Sequence, residues 1–316
     1  MKAIVTGGAG FIGSHLVDQL LEEGNAVTVI DNMSTGSMEN LSHHSKNPNL
    51  IIRRADILHA RALEKILRGH DVVFHLAASA NMRRSLTDHK LDLENNVIGT
   101  LNILEAMTKD GIKDFVFAST SALYGEASVR PTPENFLGEQ TSLYGASKLA
   151  CEAYAQAYTE FSALKVWSFR FATVIGERCR KGVIWDFVKK LRRNPHDLEI
   201  LGDGKQSKQY LYVTDCVNGI LQGYHVSSNK VNTFNLGIEE QTGVDRVADL
   251  VIEEMALKKV STRRTGGVRG WVGDNAVVHL NLDQIKRTGW QPALSSEQAI
   301  RKTIKWTMRE QARPFA

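Results

Sequence analysis

The sequence predicts an α/β fold, with a doubly wound parallel sheet in the first part of the chain and a smaller α/β lobe after it. Short apolar runs alternate with longer amphipathic stretches through the first half, and this alternation is typical of a parallel sheet that helices cover on both faces. A glycine-rich turn joins the first apolar run to the first amphipathic stretch. After about residue 172 the alternation loosens into loops rich in glycine and charge. We therefore expect two lobes with a cleft between them.

Each apolar run predicts one buried strand, and each amphipathic stretch predicts one helix. The predicted strands are Lys2–Thr6, Ala26–Asp31, Leu50–Arg54, Asp71–Leu76, Asp114–Ser119 and Lys165–Arg170. The predicted helices of the first lobe are Phe11–Glu23, His59–Arg68, Leu91–Lys109 and Tyr144–Phe161, and those of the second are Val244–Leu257 and Ser296–Arg309. We place the first lobe at residues 1–172 and the second at 173–316, in close contact because no stretch rich in proline or serine separates them.

The composition is that of an ordinary globular protein, since 42% of the 316 residues are apolar and 23% are charged. The formal net charge of +4 comes from 39 basic and 35 acidic residues spread along the chain, which argues against a nucleic-acid partner. The first residues do not form a secretory signal, and no stretch is long and apolar enough to span a membrane. We therefore expect neither nucleic acid nor a membrane as a partner.

The cysteine and histidine residues form no metal-binding pattern in the sequence. Cys151, Cys179 and Cys216 lie far apart and have none of the spacings of a metal site. His43 and His44 are adjacent, but they lie in a polar stretch with no cysteine or acidic cluster close by in the sequence. We expect a solvated loop there, no bound metal, and a reducing, cytoplasmic setting.

The glycine-rich turn predicts a dinucleotide site. Gly7, Gly10 and Gly13 lie in the stretch TGGAGFIG, directly between the first strand and the first helix. Glycine lets the turn tighten and lets the backbone N–H groups at the helix start approach a pyrophosphate. Asp31 ends the second strand, where a carboxylate accepts hydrogen bonds from ribose hydroxyls and repels a 2′-phosphate, which favours NAD over NADP. The alternative is that Asp31 only caps its strand.

A tyrosine and a lysine one helical turn apart predict proton-transfer chemistry. Tyr144 and Lys148, in the stretch TSLYGASK, share one face of a predicted helix. By itself such a pair is more often a solvated polar face than a catalytic one. Thr120 follows the fifth predicted strand and so lies at the carboxyl edge of the sheet, where ligands of such folds bind. A free tyrosine has a pKa of about 10, and we expect Lys148 and a positively charged nicotinamide ring to lower it.

The order and spacing of these motifs resemble the extended short-chain dehydrogenase/reductase family, and within it the UDP-sugar 4-epimerases. The resemblance runs over nearly the full length of the chain. In the first lobe it rests on TGGAGFIG (6–13), Asp31-Asn32, HLAA (75–78), NNVIGT (95–100), STSALYG (119–125), YGASK (144–148) and RFAT (170–173). In the second lobe it rests on GVIWDF (182–187), LEILGDGKQSKQYLYVTDC (198–216) and RGWVGD (269–274).

The resemblance implies a role for each matching residue. It implies that Tyr144 is the catalytic base, that Lys148 holds the cofactor ribose, and that Thr120 hydrogen-bonds the reacting hydroxyl. The implied cofactor is NAD, and the residues expected to bind it are Gly7, Gly10, Phe11, Ile12, Gly13, Asp31, Asn32, Asp56, Ile57, Leu76, Ala77, Ala78, Asn96, Tyr144 and Lys148. For Asp56 and Ile57 a surface turn is an equal alternative.

The second lobe is expected to hold a UDP-sugar through its diphosphate. The expected substrate-binding residues are Thr120, Tyr144, Thr173, Val183, Lys208, Arg269 and Asp274. Thr173 stands where the resemblance implies an asparagine, so it can donate one hydrogen bond but not two. Val278 stands where relatives that exclude N-acetyl sugars carry a tyrosine, and our hypothesis is that this pocket also accepts an N-acetylated UDP-hexose. Arg83 and Arg84 could contact a substrate anion or lie in a solvated loop.

The reaction that the resemblance implies is inversion at C4 of the hexose through a transient 4-keto sugar, with the hydride passing to NAD and back. Related decarboxylases and dehydratases carry an additional acidic residue just after the matching threonine, where this chain has Ser121 and Ala122. The missing acid favours a 4-epimerase over a UDP-glucuronate decarboxylase or a nucleotide-sugar dehydratase. A third alternative is a non-catalytic dinucleotide-sensing protein, which would have no need of Tyr144, Lys148 and Thr120.

The predicted helices Leu91–Lys109 and Tyr144–Phe161 carry apolar residues on more than one face. This breadth is typical of helices that are buried on both sides. Similar proteins pair these two helices across a two-fold axis, so the resemblance implies a homodimer.

Overall fold

The computed structural model describes residues 1–313, and it contains a large parallel sheet with helices on both faces. Each strand is numbered in chain order. The strands are β1 (Lys2–Thr6), β2 (Ala26–Asp31), β3 (Leu50–Arg54), β4 (Val72–His75), β5 (Asp114–Thr120), β6 (Lys165–Phe171), β7 (Thr173–Ile175), β8 (Asp197–Ile200), β9 (Ser207–Lys208), β10 (Tyr210–Tyr212), β11 (Val231–Leu236), β12 (Thr242–Gly243), β13 (Ser261–Arg264) and β14 (Val277–Val278).

The helices lie mostly between these strands, as the sequence predicts. They are α1 (Phe11–Glu22), α2 (Ala60–Leu67), α3 (Met82–Ser85), α4 (Gly99–Asp110), α5 (Leu143–Phe161), α6 (Val183–Arg193), α7 (Val213–Val226), α8 (Val244–Glu254), α9 (Asp283–Lys286) and α10 (Ser296–Gln311). Two 3-10 segments, Met38–His44 and Ser121–Tyr124, add short turns. Among residues 1–313, none of the helices combines the length and apolarity that a membrane span requires.

The seven-stranded sheet has the order β11-β6-β5-β4-β1-β2-β3, and all of its neighbouring strands are parallel. This architecture confirms the predicted doubly wound α/β fold. The strand order reverses at β1 and β4, which are neighbours in the sheet although two strands separate them in the chain. Such a reversal opens a crevice at the carboxyl ends of the strands, where ligands of open α/β sheets bind. The glycine turn after β1 and Thr120 at the end of β5 both lie at this edge.

The prediction that Leu50–Arg54 is a buried strand is wrong, whereas the other predicted strands are largely buried. β3 lies at the edge of the sheet next to β2, and Ile51 is 45% exposed. Arg53 and Arg54 are exposed as well. Charged side chains on an edge strand hinder pairing with another chain, so these arginines suit an edge better than an interior position.

The sequence analysis missed the seventh strand, β11, which pairs with β6. Its apolar pattern is interrupted by Asn232 and Asn235, both of which are buried. The amide of Asn235 donates to the carbonyl of Thr132 at 3.0 Å and to that of Asn281 at 3.1 Å. These partners are distant in the sequence, so a local pattern cannot reveal them. Because β11 follows residue 172, the C-terminal part of the chain contributes a strand to the large sheet.

The predicted helix Leu91–Lys109 consists of two segments. A π-helical segment, Leu93–Ile98, runs directly into α4. The wider turn lies next to the sheet edge and contains Asn96, which is buried, and π-helical turns occur frequently at functional sites. The helix ends at Gly111, whose φ of 73° lies in the left-handed region that glycine favours.

The smaller lobe has an apolar core of its own. Leu191 of α6, Val247 of α8 and Ile300 of α10 are fully buried in one cluster. The helices α8 and α10 confirm the two helices predicted there. Three small sheets, with orders β10-β7, β12-β9-β14 and β13-β8, complete this lobe and carry the loops that face the crevice.

Candidate active site

The glycine turn leaves no room for side chains. Gly7 has a φ of 69°, and a Cβ atom there would lie 2.8 Å from the backbone nitrogen of Ala77. A Cβ atom on Gly13 would lie 2.2 Å from the carbonyl oxygen of Gly7, and one on Gly10 would lie 3.0 Å from the same oxygen. The strand end at Leu76 is part of this packing, because the backbone nitrogens of Leu76 and Ala77 both donate to the hydroxyl of the last residue of β1. The turn therefore has the tight form that lets a pyrophosphate approach the start of α1.

Asp31 does more than cap its strand. Its Oδ2 accepts a hydrogen bond from the backbone nitrogen of Ala9 at 3.0 Å, and its Oδ1 accepts one from Met33 at 2.8 Å. The carboxylate thus braces the glycine turn from the side. Gly36 packs closely against this carboxylate, since a Cβ atom there would lie 2.9 Å from Oδ2. A carboxylate at the end of the second strand, beside the glycine turn, suits the ribose hydroxyls of NAD and repels a 2′-phosphate.

The residues predicted to line the adenine end come together beside β2 and β3. The amide of Asn32 donates to Oδ2 of Asp56 at 2.9 Å, and Oδ1 of Asp56 accepts from the backbone nitrogen of Leu58. Ile57 is buried and packs against Gly99, where a Cβ atom would lie 2.4 Å from the Ile57 side chain. The contact of Asp56 and Ile57 with a cofactor stays a prediction.

Asn96 joins the strand end after β4 to the helix α5. Its Oδ1 accepts from the backbone nitrogen of Ser79 at 2.7 Å, and its Nδ2 donates to the Ser79 carbonyl and to the hydroxyl of Ser147 at 2.9 Å. The segment that includes Ala78 is therefore held against α5. At the opposite side of the crevice, Phe11 and Ile12 pack against the core of the smaller lobe.

The helix α5 presents the tyrosine and the lysine to the end of β5. Its start is fixed by Ser142, whose hydroxyl accepts from the backbone nitrogen of Gly145 at 3.0 Å, as an N-cap residue does. Lys148 is buried, and its Nζ donates to the carbonyl of Ala118 at 2.8 Å and lies 4.4 Å from the ring centre of Phe117. One turn earlier, Tyr144 is half-buried.

Burial controls the protonation of this pair in the chain without ligands. Burial raises the pKa of Tyr144 to about 12, and a hydrogen bond with the hydroxyl of Thr120 opposes this rise. Burial also lowers the pKa of Lys148 to about 8. The desolvation of the phenolate is the largest influence on this pKa, so Tyr144 is a phenol in the free chain. The expectation that Lys148 and a nicotinamide ring together lower the pKa of Tyr144 stays a prediction.

The predicted substrate residues of the smaller lobe form ion pairs with one another or with the first lobe. Lys208 of β9 lies 2.6 Å from Oδ1 of Asp274, which is itself buried. Arg269 lies 3.2 Å from Oε1 of Glu126. Thr173 begins β7 and Val183 begins α6, and their contact with a substrate stays a prediction. The two cations, Lys208 and Arg269, are thus already paired with carboxylates in the free chain.

Trp271 lies beside the predicted substrate residue Lys208 and was not among the residues predicted for the site. Its ring lies near two cations, with the guanidinium carbon of Arg83 at 4.9 Å and Nζ of Lys208 at 5.5 Å from the ring centre. Arg83 itself is exposed, and its contact with a substrate anion stays a prediction. The signal in the sequence was the tryptophan within a glycine-rich loop, since a large aromatic residue in such a loop normally needs a packing partner.

His43 and His44 lie closer to a carboxylate than the sequence indicated. The Nε2 atoms of the two histidines lie 2.9 and 3.0 Å from Oδ1 of Asp18, a residue of α1. The other carboxylate oxygen of Asp18 lies 2.8 Å from Arg178. Because Arg178 already neutralises Asp18, we interpret the cluster as a hydrogen-bonded link between α1 and its neighbours.

Cofactor binding at the carboxyl edge of a parallel sheet, next to a helix that presents tyrosine and lysine, is the arrangement of the extended short-chain dehydrogenase/reductases. The sequence profile of the NAD dependent epimerase/dehydratase family matches residues 3–237. The chain therefore belongs to that family of NAD-dependent enzymes.

Individual relatives point to nucleotide-sugar enzymes with two kinds of reaction. The chain is 33% identical to the putative UDP-glucose 4-epimerase of Methanocaldococcus jannaschii over 309 residues, which are 96% of this chain and 97% of the relative. It is 34% identical to UDP-glucuronic acid decarboxylase 1 of Arabidopsis thaliana over 261 residues, which are 80% of this chain and 58% of the relative. The crystal structure of UDP-glucose 4-epimerase from Thermotoga maritima with UDP-glucose has 34% identity and a TM-score of 0.89, with 98% of this chain and 100% of that chain covered.

Proposed function

We propose that this enzyme is an NAD-dependent epimerase that inverts C4 of a UDP-hexose, UDP-glucose or UDP-galactose. The observation that carries the proposal is the 3-10 turn Ser121–Tyr124, which follows directly after Thr120. Its first two residues, Ser121 and Ala122, have no carboxylate. A lyase step after oxidation at C4 needs a further acid or base close to the sugar, whereas simple return of the hydride does not.

The chain contributes positioning and proton transfer. Thr120 hydrogen-bonds the C4 hydroxyl and orients it toward Tyr144, which takes up the hydroxyl proton and later returns it. Lys148 keeps a positive charge beside the phenol and holds the cofactor ribose. Bound NAD would supply the hydride acceptor and a further positive charge on its nicotinamide ring, and a nearby cation favours the phenolate. This additional charge is what the free chain lacks, since burial raises the pKa of Tyr144 to about 12.

The substrate diphosphate is expected to bind at Lys208 and Arg269. Lys208 lies 5.5 Å from the ring centre of Trp271, and Arg269 precedes Trp271 by two residues in the same loop. Arginine and lysine are the usual partners of phosphate oxygens. Asp274 then holds Lys208 in position, since these two side chains already pair at 2.6 Å. Thr173 donates one hydrogen bond to the diphosphate in this proposal, and Val183 contacts the substrate.

The tolerance for an N-acetyl group is tested at Val278. This residue belongs to β14, which pairs with β9 next to Lys208, and a valine there is smaller than a tyrosine. We expect wild-type enzyme to turn over UDP-N-acetylglucosamine, and Val278→Tyr to lose this activity while it keeps activity on UDP-glucose. Equal inability of both proteins to turn over the N-acetyl sugar would contradict the hypothesis.

One incubation experiment separates the possible reactions. Purified protein is incubated with UDP-galactose, UDP-N-acetylgalactosamine and UDP-glucuronate, and the products are resolved by mass and by retention time. A product of unchanged mass and changed retention supports the epimerase. Loss of CO2 or of water would instead identify the decarboxylase or the dehydratase, and the similarity to a plant UDP-glucuronic acid decarboxylase makes the glucuronate incubation essential. No product from any substrate would favour the non-catalytic sensor.

We further propose that the enzyme is a homodimer that pairs through α5 and the segment before α4. Tyr154 and Phe161 of α5 are 47% and 70% exposed in the single chain, and Leu93 and Ile98 are exposed on the neighbouring segment. Exposed apolar residues on two adjacent helices are typical of an interaction surface. Sedimentation as a monomer at micromolar concentration would contradict the dimer.

A further inference from the structure

Three polar residues, each one helical turn after the last, follow one face of α5. They are Tyr144, Lys148 and Glu152, and residues at this spacing lie above one another on the helix surface. Only the first two take part in the proposed reaction. Glu152 is 8% exposed, and a buried carboxylate is costly unless strong partners compensate for its lost hydration. Its partners therefore indicate why it is present.

Consecutive residues at the end of β5 contact this face of α5. The carbonyl of Ala118 accepts from Nζ of Lys148 at 2.8 Å, and the hydroxyl of Ser119 donates to Oε1 of Glu152 at 2.5 Å. The next residue, Thr120, meets the catalytic tyrosine. Glu152 thus holds the strand residue that directly precedes the catalytic threonine.

An arginine from the next strand fixes Glu152 from the other side. Nε of Arg170 lies 3.0 Å from Oε1 of Glu152, and Nη2 lies 2.6 Å from Oε2. The remaining guanidinium nitrogen, Nη1, donates to the hydroxyl of Tyr124 at 2.8 Å and to the carbonyl of Glu134 at 2.6 Å. Arg170 is therefore held in place by other groups, and its bidentate pair fixes the orientation of the Glu152 carboxylate.

Few other groups that face Lys148 can offer it a negative charge. Burial lowers the pKa of Lys148 to about 8, and Cys151, Glu152 and Asp92 act against this fall. Burial raises the pKa of the Cys151 thiol, so the thiol stays neutral. Burial lowers the pKa of His75 to about 3, so its ring is neutral as well. The anions that support the ammonium group are thus Asp92 and Glu152, besides the catalytic phenol once it ionises.

We propose that Glu152 is a positioning residue of the reaction: clamped by Arg170, it stabilises the charge of Lys148 and holds the strand end that carries Thr120. This inference rests on the proposed function, because it assigns Lys148 and Thr120 their roles in epimerisation. It adds a third member to the Tyr-Lys pair and gives the buried arginine a function beyond folding.

The main test is the pH dependence of kcat for Glu152→Gln with NAD bound and UDP-glucose as substrate. In the wild type we expect kcat to fall on the alkaline side as Lys148 loses its proton, since burial lowers the pKa of Lys148 to about 8 in the free chain. In Glu152→Gln we expect the alkaline limb of the kcat profile to lie about one pH unit lower, because the variant removes a negative charge one helical turn away from Lys148. Glu160→Gln, on the exposed part of the same helix, is the matched control and should leave the limb unchanged.

Glu152→Asp separates the charge from the packing. The shorter side chain disturbs the contacts with Ser119 and Arg170, but it keeps the negative charge close to Lys148. We expect a reduced kcat with an alkaline limb shifted by less than half as much as in Glu152→Gln. The inference would be overturned if the alkaline limb of the kcat profile did not move in Glu152→Gln. It would also be overturned if this limb moved equally in Glu152→Gln and Glu152→Asp.

Unfolding in urea gives a readout that does not depend on activity. A lysine whose pKa is lower in the folded than in the unfolded chain makes stability rise with pH between the two values, because the unfolded chain then binds more protons. This rise begins near pH 8 in the wild type. In Glu152→Gln it should begin about one pH unit lower, so that between pH 7 and 8 the slope of the unfolding free energy against pH exceeds that of Glu160→Gln by about half a proton. Equal slopes would count against the inference.

The two proposals fail in different ways. If the proposed function is wrong, wild-type protein does not epimerise UDP-glucose or UDP-galactose, and the unfolding slopes still test the link between Glu152 and Lys148. If only the present inference is wrong, the wild type is active and the alkaline limb of the kcat profile does not move in Glu152→Gln.

If Glu152→Gln does not fold, Ser119→Ala takes its place. We expect kcat about tenfold lower in Ser119→Ala through misplacement of Thr120, and an unchanged kcat would overturn the positioning role.

Discussion

The two ends of the candidate active site are held by different kinds of contact. At the cofactor end, the glycine turn is fixed by hydrogen bonds from its backbone nitrogens, such as that of Gly7 to the carbonyl of Ile30 at 2.8 Å and that of Ala9 to the carboxylate of Asp31 at 3.0 Å. Close packing fixes it as well, because Gly13 has no room for a Cβ atom. The fixed shape exists before any ligand arrives, which reduces the ordering that binding requires.

At the substrate end, charged side chains hold one another. Lys208 pairs with Asp274, and Arg269 pairs with Glu126. An anionic substrate can exchange with such partners, since the cation gains a phosphate as it loses or shares a carboxylate. In the proposed function, the rigid end suits a cofactor that remains bound through turnover, and the ion pairs at the other end are exchanged in each cycle.

Tyr144→Phe tests the junction between the two ends and should have the largest effect. We expect kcat to fall about 10³-fold, because the proton-transfer group is lost, while NAD binding at the rigid end stays unchanged. Activity on UDP-galactose and the NAD released on denaturation are the measurements. Tyr154→Phe, at an exposed position of the same helix, is the control and should behave like the wild type. Substantial remaining activity in Tyr144→Phe would mean that another group transfers the proton.

Gly13→Ala tests the rigidity of the cofactor end. A Cβ atom would lie 2.2 Å from the carbonyl oxygen of Gly7, so the turn must open at a cost of about 3 kcal/mol, the range for overpacked sites. We expect lower thermal stability and at least tenfold weaker NAD binding by calorimetry. In the control Gly243→Ala, the nearest atom lies 3.9 Å from the new Cβ. Unchanged NAD affinity in Gly13→Ala would show that the turn adapts, and the contrast between the two ends would then be lost.

The sequence was informative where structure depends on neighbouring residues. The glycine turn, the parallel sheet and the face shared by Tyr144 and Lys148 follow from local spacing, and each was predicted. The role of Glu152 could have been suspected from the same spacing, because a carboxylate one turn beyond Lys148 lies on the same face of the helix as Tyr144 and Lys148. The identity of its partner could not, since Arg170 comes from another strand.

The substrate end was harder to predict because its contacts join distant parts of the chain. Lys208 and Asp274 were each predicted to touch the substrate, but their direct ion pair depends on how β9 and the loop before β14 meet. Trp271 was missed because its partners come from both lobes. β11 was missed since its buried asparagines find their hydrogen-bond partners only in the folded chain. Polar contacts between residues that are distant in the chain thus could not be predicted from the sequence.

Lys208→Met tests whether the contacts at the substrate end can be exchanged, and it should have a smaller effect than the changes above. If Lys208 binds the diphosphate equally in the ground state and the transition state, its loss raises KM about tenfold and leaves kcat within about twofold. The variant also leaves Asp274 buried without its cation, which lowers stability. The double variant Lys208→Met with Asp274→Asn removes this unpaired carboxylate, so it should recover the stability but not the wild-type KM.

The control is Lys286→Met, which removes an exposed lysine paired with Glu239 outside the site and should change neither kcat nor KM. A large fall in kcat for Lys208→Met would mean that this cation acts on the reacting sugar, and the substrate end would then be as fixed as the cofactor end.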